Sequence, residues 1–201
     1  SKLLELRQRE VGVCSTGVIG LPMPMIRIEP KYEELVAGLG PKNGNDVARS
    51  IITSDTHEKE FAISFELHGK RVRIGGCAKG AGMINPNMAT MLCFVTTDAN
   101  VGKSCLKEAI ENSVENTFNR ITIDGDTSTN DSVIVLANGA AENKTIRRGT
   151  KECRDFSHAL EFVMNKLAKD IVRDGEQRTR HKPFWGARHG HLPLGRDRRS
   201  R

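Results

Sequence analysis

The sequence predicts an α/β protein, built as α+β layers in which mixed sheets are flanked by helices. Three observations carry that prediction. Phe61, Ile63, Phe65 and Leu67 alternate strictly with Glu60, Ala62, Ser64 and Glu66, the two-residue period of a half-buried strand. Leu106, Ile110, Val114 and Phe118 recur every four residues, and Phe156, Leu160, Val163, Leu167 and Ile171 mark a second stripe of helical spacing. Strand and helix segments follow one another without a strict βαβ alternation, which favours layers over a doubly wound sheet.

In chain order, residues 10–14 (EVGVC) read as a short strand that enters the polar turn 15–20 (STGVIG). Pro22, Pro24 and Pro30 exclude regular structure until 31–39 (KYEELVAGL), a helix stopped by Gly40 and Pro41. A second helix starts in NDVARSIITSD, with Asn45 or Asp46 as its cap. The alternating strand from Glu60 turns at His68-Gly69-Lys70 into a partner carrying Val72 and Ile74, a β-hairpin. A glycine-rich segment (75–82, GGCAKGAG) follows, then a strand over about 90–96. Residues 103–118 form an amphipathic helix, and 121–124 (ITID) and 132–138 (SVIVLAN) read as buried strands around the polar loop GDTSTND. The last helix carries the stripe from Phe156 to Ile171 and ends near Asp174-Gly175. No internal repeat is present.

The chain has 201 residues, 37% hydrophobic and 28% charged, enough to bury a sizeable core. It contains no run with the apolar length of a membrane span, and the opening SKLLELRQRE has no apolar signal region. The five cysteines (Cys14, Cys77, Cys93, Cys105, Cys153) are widely spaced and odd in number, which suits reduced thiols better than a disulfide framework or a zinc site. The net charge of +6 is concentrated: residues 177–201 hold seven Arg and one Lys against one Asp. The rest of the chain is close to neutral and makes no electrostatic case for a nucleic-acid partner.

Most short motifs dissolve on inspection. Gly102-Lys103-Ser104 ends like a phosphate-binding loop, but the glycine required five positions upstream is Thr97. The glycines of 75–82 have the wrong spacing for a dinucleotide fold. Asp124, Asp126, Asn130 and Asp131 have the composition of a cation loop but not its spacing, and read as a polar turn. No metal is expected; His189 and His191 fall in the basic tail.

Thr90 has better company. A threonine nucleophile can use its own α-amine as base once the preceding peptide bond is cut. Ala89 and the turn-rich NPNM leave room for that side chain to attack the upstream carbonyl. Lys79 could reach such a site, and Thr16-Gly17 could offer a hydroxyl and an N–H to an oxyanion. Each also has a plain reading: threonine is a common strand residue, Lys79 a solvated side chain, and STG an ordinary turn.

Longer stretches point further. Residues 78–99 (AKGAGMINPNMATMLCFVTTDA) and 119–141 (NRITIDGDTSTNDSVIVLANGAA) resemble the ornithine acetyltransferase, or glutamate N-acetyltransferase, family of arginine biosynthesis. STGVIG, IITSDT (51–56), RIGGCAKGAGM (73–83) and VRDGE (172–176) fit the family in the same order, so the likeness spans roughly residues 10–176. It implies an ornithine acetyltransferase/DmpA-like layered sandwich, and a precursor that cuts itself between Ala89 and Thr90. The single catalytic domain, 1–176, would then consist of an α chain (1–89) and a β chain (90–176), commonly assembled as α2β2. Thr90 would accept the acetyl group of N2-acetylornithine as an ester and pass it to glutamate in a ping-pong cycle. The match makes Thr16 and Gly17 the oxyanion hole, and makes Thr53, Lys79, Thr90 and Glu176 the substrate contacts. It implies no metal, bound cofactor, nucleic acid or membrane. Some members also use acetyl-CoA as donor, and the compartment is the cytoplasm, or the mitochondrial matrix in a eukaryote.

Family members carry a further segment before the STG region and continue past RDGE, whereas residues 177–201 here resemble nothing in them. The loss of periodicity and the jump in charge suggest a chain truncated at both ends, with a tail from a shifted reading frame. The alternatives are a threonine-nucleophile amidohydrolase or aminopeptidase, in which water is the acceptor, and an inactive fragment whose basic tail binds nucleic acid or nothing in particular.

Overall fold

The structure, a computed structural model, describes residues 1–17, 20–82, 84, 91–125 and 130–181, the last six in backbone only. Two short helices open the regular part, α1 (Met25–Ile28) and α2 (Tyr32–Ala37), followed by α3 (Gly44–Ile51). The cap of α3 is Asn43, two or three residues before the expected Asn45 or Asp46, and its side chain donates to the Gly38 carbonyl instead of closing the helix end. Residues 10–14 form no strand. They pass near the edge of the sheet, where an added Cβ at Gly12 would touch Ile134, but they make no ladder with it.

Four strands follow: β1 (Lys59–Leu67), β2 (Lys70–Lys79), β3 (Leu92–Thr97) and, after helix α4 (Lys103–Asn116), β4 (Ser132–Ala137). They form one mixed sheet in the order β1-β2-β3-β4; the first two pairings are antiparallel and β3–β4 is parallel. The parallel pair needs a long crossover, and α4 supplies it. The hairpin turn has positive φ at both central residues, His68 (53°) and Gly69 (69°), the turn whose twist suits a two-residue loop.

The glycine-rich segment is not a flexible loop at its start. Gly75 and Gly76 lie inside β2, and a Cβ at Gly76 would stand 2.6 Å from the Phe94 carbonyl oxygen, so β3 approaches closer than any side chain allows. The ITID stretch is likewise not a strand. Ile123 N–H donates once to the Ile84 carbonyl, without a ladder around it.

Helix α5 (Lys151–His181) continues through Asp174-Gly175, where an end was expected. Gly175 serves close packing rather than a cap, because a Cβ there would meet Ile123 at 2.5 Å. The stripe Phe156, Leu160, Val163, Leu167 and Ile171 is fully buried against Val72, Ile74, Ala78, Cys93 and Val95 of the sheet, with α4 packed alongside. Burial of side chains this size contributes about 1.5–3 kcal/mol each, so α5 is the principal cover of the sheet. Cys105 of α4 and Cys153 of α5 are joined by a disulfide, contrary to the expectation that all five thiols are reduced; their Cα atoms face each other at 6.1 Å across the helix pair. Among the described residues, no helix is long and apolar enough to cross a membrane.

Candidate functional site

The candidate site lies where β2 ends and β3 begins. Lys79 is the last residue of β2, and its side chain is not the solvated one that composition suggested: the residue is 1% exposed. Its Nζ donates to Thr16 Oγ1 at 2.9 Å, so two residues 63 positions apart in sequence meet directly. An ammonium has donors only, so the Thr16 oxygen must accept and the hydroxyl proton is left to point elsewhere. Burial holds Lys79 below its ordinary pKa, while the charges of Asp55 and Asp131 pull the other way. Gly17, next to Thr16, is exposed, with open space around the position a Cβ would take.

Ala89 and Thr90 lie outside the described residues, but the residue that follows them is fixed at both backbone ends. Met91 N–H donates to Asp131 Oδ1 at 2.6 Å, and Met91 C=O accepts from Ser132 N–H at 3.0 Å. Asp131 thus fixes the backbone at the first described residue after position 90. Its second oxygen, Oδ2, is buried and has no hydrogen-bond partner among the described residues. Burial pushes the Asp131 carboxyl up to about 6, against the opposing pull of Met91 N–H and Lys79.

The other two candidates stand on neighbouring segments. Thr53, in the loop after α3, is exposed, and its N–H donates to Asp55 Oδ2 at 3.3 Å. Glu176 is a helical residue of α5 whose side chain lies outside the description. The structure brings Lys79 and Thr16 into contact, and Thr53 is joined through Asp55 to Gly80, the residue after Lys79.

Those groups went unnoticed in the sequence. Asp55 and Lys59 sit four apart in SDTHEK with no pattern that singles them out, and Asp174 read as part of the end of a helix. Asp124 and Asp131, read as turn residues, do serve the backbone: Asp124 accepts from Ile84 N–H at 2.8 Å as Asp131 does from Met91 N–H. Among the described residues no cluster of His, Cys, Asp and Glu is arranged to hold a metal. Two open grooves on the sheet face away from α5, one lined by Ala62, Arg73 and Thr96 and the other by Glu60 and Phe94, include none of the candidate residues.

Comparison with known proteins fits this assembly of motifs. The model of the ArgJ family matches residues 1–182. The arginine biosynthesis bifunctional protein ArgJ of Symbiobacterium thermophilum is 50% identical over 180 residues, 90% of this chain and 45% of that one. Its counterpart in Desulfotalea psychrophila is 51% identical over 176 residues, 88% of this chain and 45% of that one. The crystal structure of ArgJ from Bacillus halodurans is 52% identical over 43% of this chain and 41% of its own, with a TM-score of 0.41. The chain spans about half the length of the curated relatives it matches. With a family match over nearly all its residues and relatives at half identity along the same stretch, the chain belongs to the ArgJ family.

Proposed function

We propose that this chain carries the nucleophile and oxyanion donors of an acetyltransferase that moves an acetyl group from N2-acetylornithine to glutamate. The observation that carries the reading is the 2.9 Å contact from Lys79 Nζ to Thr16 Oγ1. A hydroxyl that accepts from an ammonium is polarised and free to donate its own proton, which is what a developing oxyanion requires. Family membership supplies the reaction class, since the matching relatives are named arginine biosynthesis bifunctional proteins.

On this reading the Ala89–Thr90 bond is cut by the chain itself, and the freed Thr90 amine takes the proton of the Thr90 hydroxyl. The oxygen attacks the acetyl carbonyl of N2-acetylornithine, and the oxyanion accepts from Thr16 O–H and Gly17 N–H. Collapse breaks the amide C–N bond, the ornithine nitrogen takes the proton back from the Thr90 ammonium, and an acetyl-threonine ester is left. The glutamate amine then attacks the ester, its proton returns to the threonine oxygen through the Thr90 amine, and N-acetylglutamate leaves. Thr53, Lys79 and Glu176 grip the substrate, and acetyl-CoA can load the same ester. No metal or bound cofactor takes part. The two pieces remain together as an α2β2 assembly, in the cytoplasm.

The test is a denaturing gel of the purified chain beside Thr90→Ala, with acetyl transfer to glutamate followed in parallel. Two bands and transfer are expected for the first, one band and no transfer for the second. An intact wild-type chain that transfers nothing defeats the proposal, and acetyl release to water alone would assign the site to hydrolysis.

A further inference from the structure

Lys59, the first residue of β1, has a side chain that is 0% exposed. Its Nζ donates to Asp55 Oδ1 at 2.7 Å, to Asp174 Oδ2 at 2.6 Å and to the His57 carbonyl at 3.3 Å. Both acids have further partners. Asp55 accepts from Gly80 N–H through Oδ1 at 2.7 Å and from Thr53 N–H through Oδ2. Asp174 accepts from the N–H and the hydroxyl of Thr56. All three ammonium protons and both carboxylates are therefore used.

Such a cluster contributes little as stability. Removing each ion from water costs several kcal/mol, and apolar groups of the same volume often serve the fold as well. What it supplies is position. It ties three segments that are far apart in sequence: the loop 52–58, the residue after β2, and the seventh turn of α5. On each segment a substrate contact named above stands one or two residues away: Thr53 beside Asp55, Lys79 beside Gly80, and Glu176 beside Asp174.

We infer that Asp55, Lys59 and Asp174 form a positioning network that sets Thr53, Lys79 and Glu176 at their mutual distances for gripping the substrate. None of the three touches the reacting atoms, and the inference rests on the acetyltransferase reading above. Asp55 is its hub, because the same carboxylate holds Lys59, fixes Gly80 and lends its charge to Lys79.

The network can be neutralised without leaving a charge unpaired. The variant Lys59→Met/Asp55→Asn/Asp174→Asn should fold and cut itself as the wild type does. Its KM for N2-acetylornithine should rise about tenfold or more while kcat stays within about threefold, the split expected when grip is lost and chemistry is not. The single Asp174→Asn variant, in which the amide oxygen can still accept from Thr56 and Lys59 keeps Asp55, should show a smaller rise in KM with a lowered melting temperature. A folded variant with wild-type KM overturns the inference. If both variants unfold, amide exchange of the wild-type chain decides: saturating N2-acetylornithine should slow exchange at Thr56 and Gly80 together, and no slowing at either overturns it. A wild-type chain that neither binds nor acetylates would instead remove the acetyltransferase reading itself.

Discussion

The two ends of the β1–β2 hairpin are built from opposite materials. At the His68-Gly69 end the strands face α5 with Phe65, Leu67, Val72 and Ile74, and charge is kept to the exposed Glu66, Arg71 and Arg73. At the other end, ten residues along the same ladder, Lys59 and Lys79 are each 1% exposed, with Asp55, Asp131 and Asp174 around them. The first end is ordinary core, where free energy comes from apolar area. The second places ions where the fold alone would put methyl groups. That contrast is the one expected if the second end serves the proposed chemistry rather than stability.

The largest expected effect breaks the apolar side. Phe156→Ala, at a fully buried position of α5, should lower the unfolding free energy by about 3–5 kcal/mol in a denaturant titration. If the charged end contributed equally to stability, its loss would look the same. Lys79→Met is expected to differ: stability within about 1 kcal/mol of wild type, because a buried charge has been removed, but acetyl transfer down about a hundredfold, because Thr16 has lost the donor that orients it. Equal losses of stability and activity in Lys79→Met would erase the distinction between the two ends.

The smallest effect is a matter of pH. A carboxyl raised in the folded chain binds its proton more tightly there than in the unfolded chain, so folding is favoured while it is protonated. For Asp131 that stability is present below the ordinary value of 3.8 and is lost as pH rises toward about 6. Asp55 and Asp174 behave in the opposite sense: burial works against their charge, but Lys59 and the N–H and hydroxyl donors outweigh it and hold both below the ordinary value. Their contribution is present above 3.8 and fades as pH falls below it. Asp131→Asn should therefore remove the decline between about pH 4 and 6 and leave the loss at lower pH in place, as followed by thermal unfolding across that range.

The apolar end was the legible one. Alternation in 60–67 and four-residue spacing in the helices are properties of neighbouring residues, so β1, α4 and α5 could be read from the chain alone. Gly75 and Gly76 could not, because what demands glycine there is the closeness of Ala62 to the first and of Phe94 and Val95 to the second, all on other strands. Gly175 misled in the same way: a helix-ending residue by habit, it is a packing residue because Ile123 stands against it. ITID has strand composition but, among the described residues, no partner strand to pair with. At the site, Thr16, Gly17 and Lys79 stood out locally only with an equally plain reading beside each, and Thr53 and Glu176 were reached through the family's motifs alone. Lys59 and Asp174 were missed because a buried ion pair 115 residues apart leaves no local trace.

The register of the sheet has a consequence for a chain that cuts itself. β2 and β3 are neighbours from Ile74↔Thr97 to Lys79↔Leu92, and the Ala89–Thr90 bond lies in the connection between them. A break there would leave two polypeptides sharing one hydrogen-bonded seam, with the cover helix α5 on the second gripping strands of the first. Such a nick changes the topology of the molecule without changing its surface of contact. The halves would dissociate only under conditions that melt the sheet, and once melted, each would have to find its complement again as a bimolecular event.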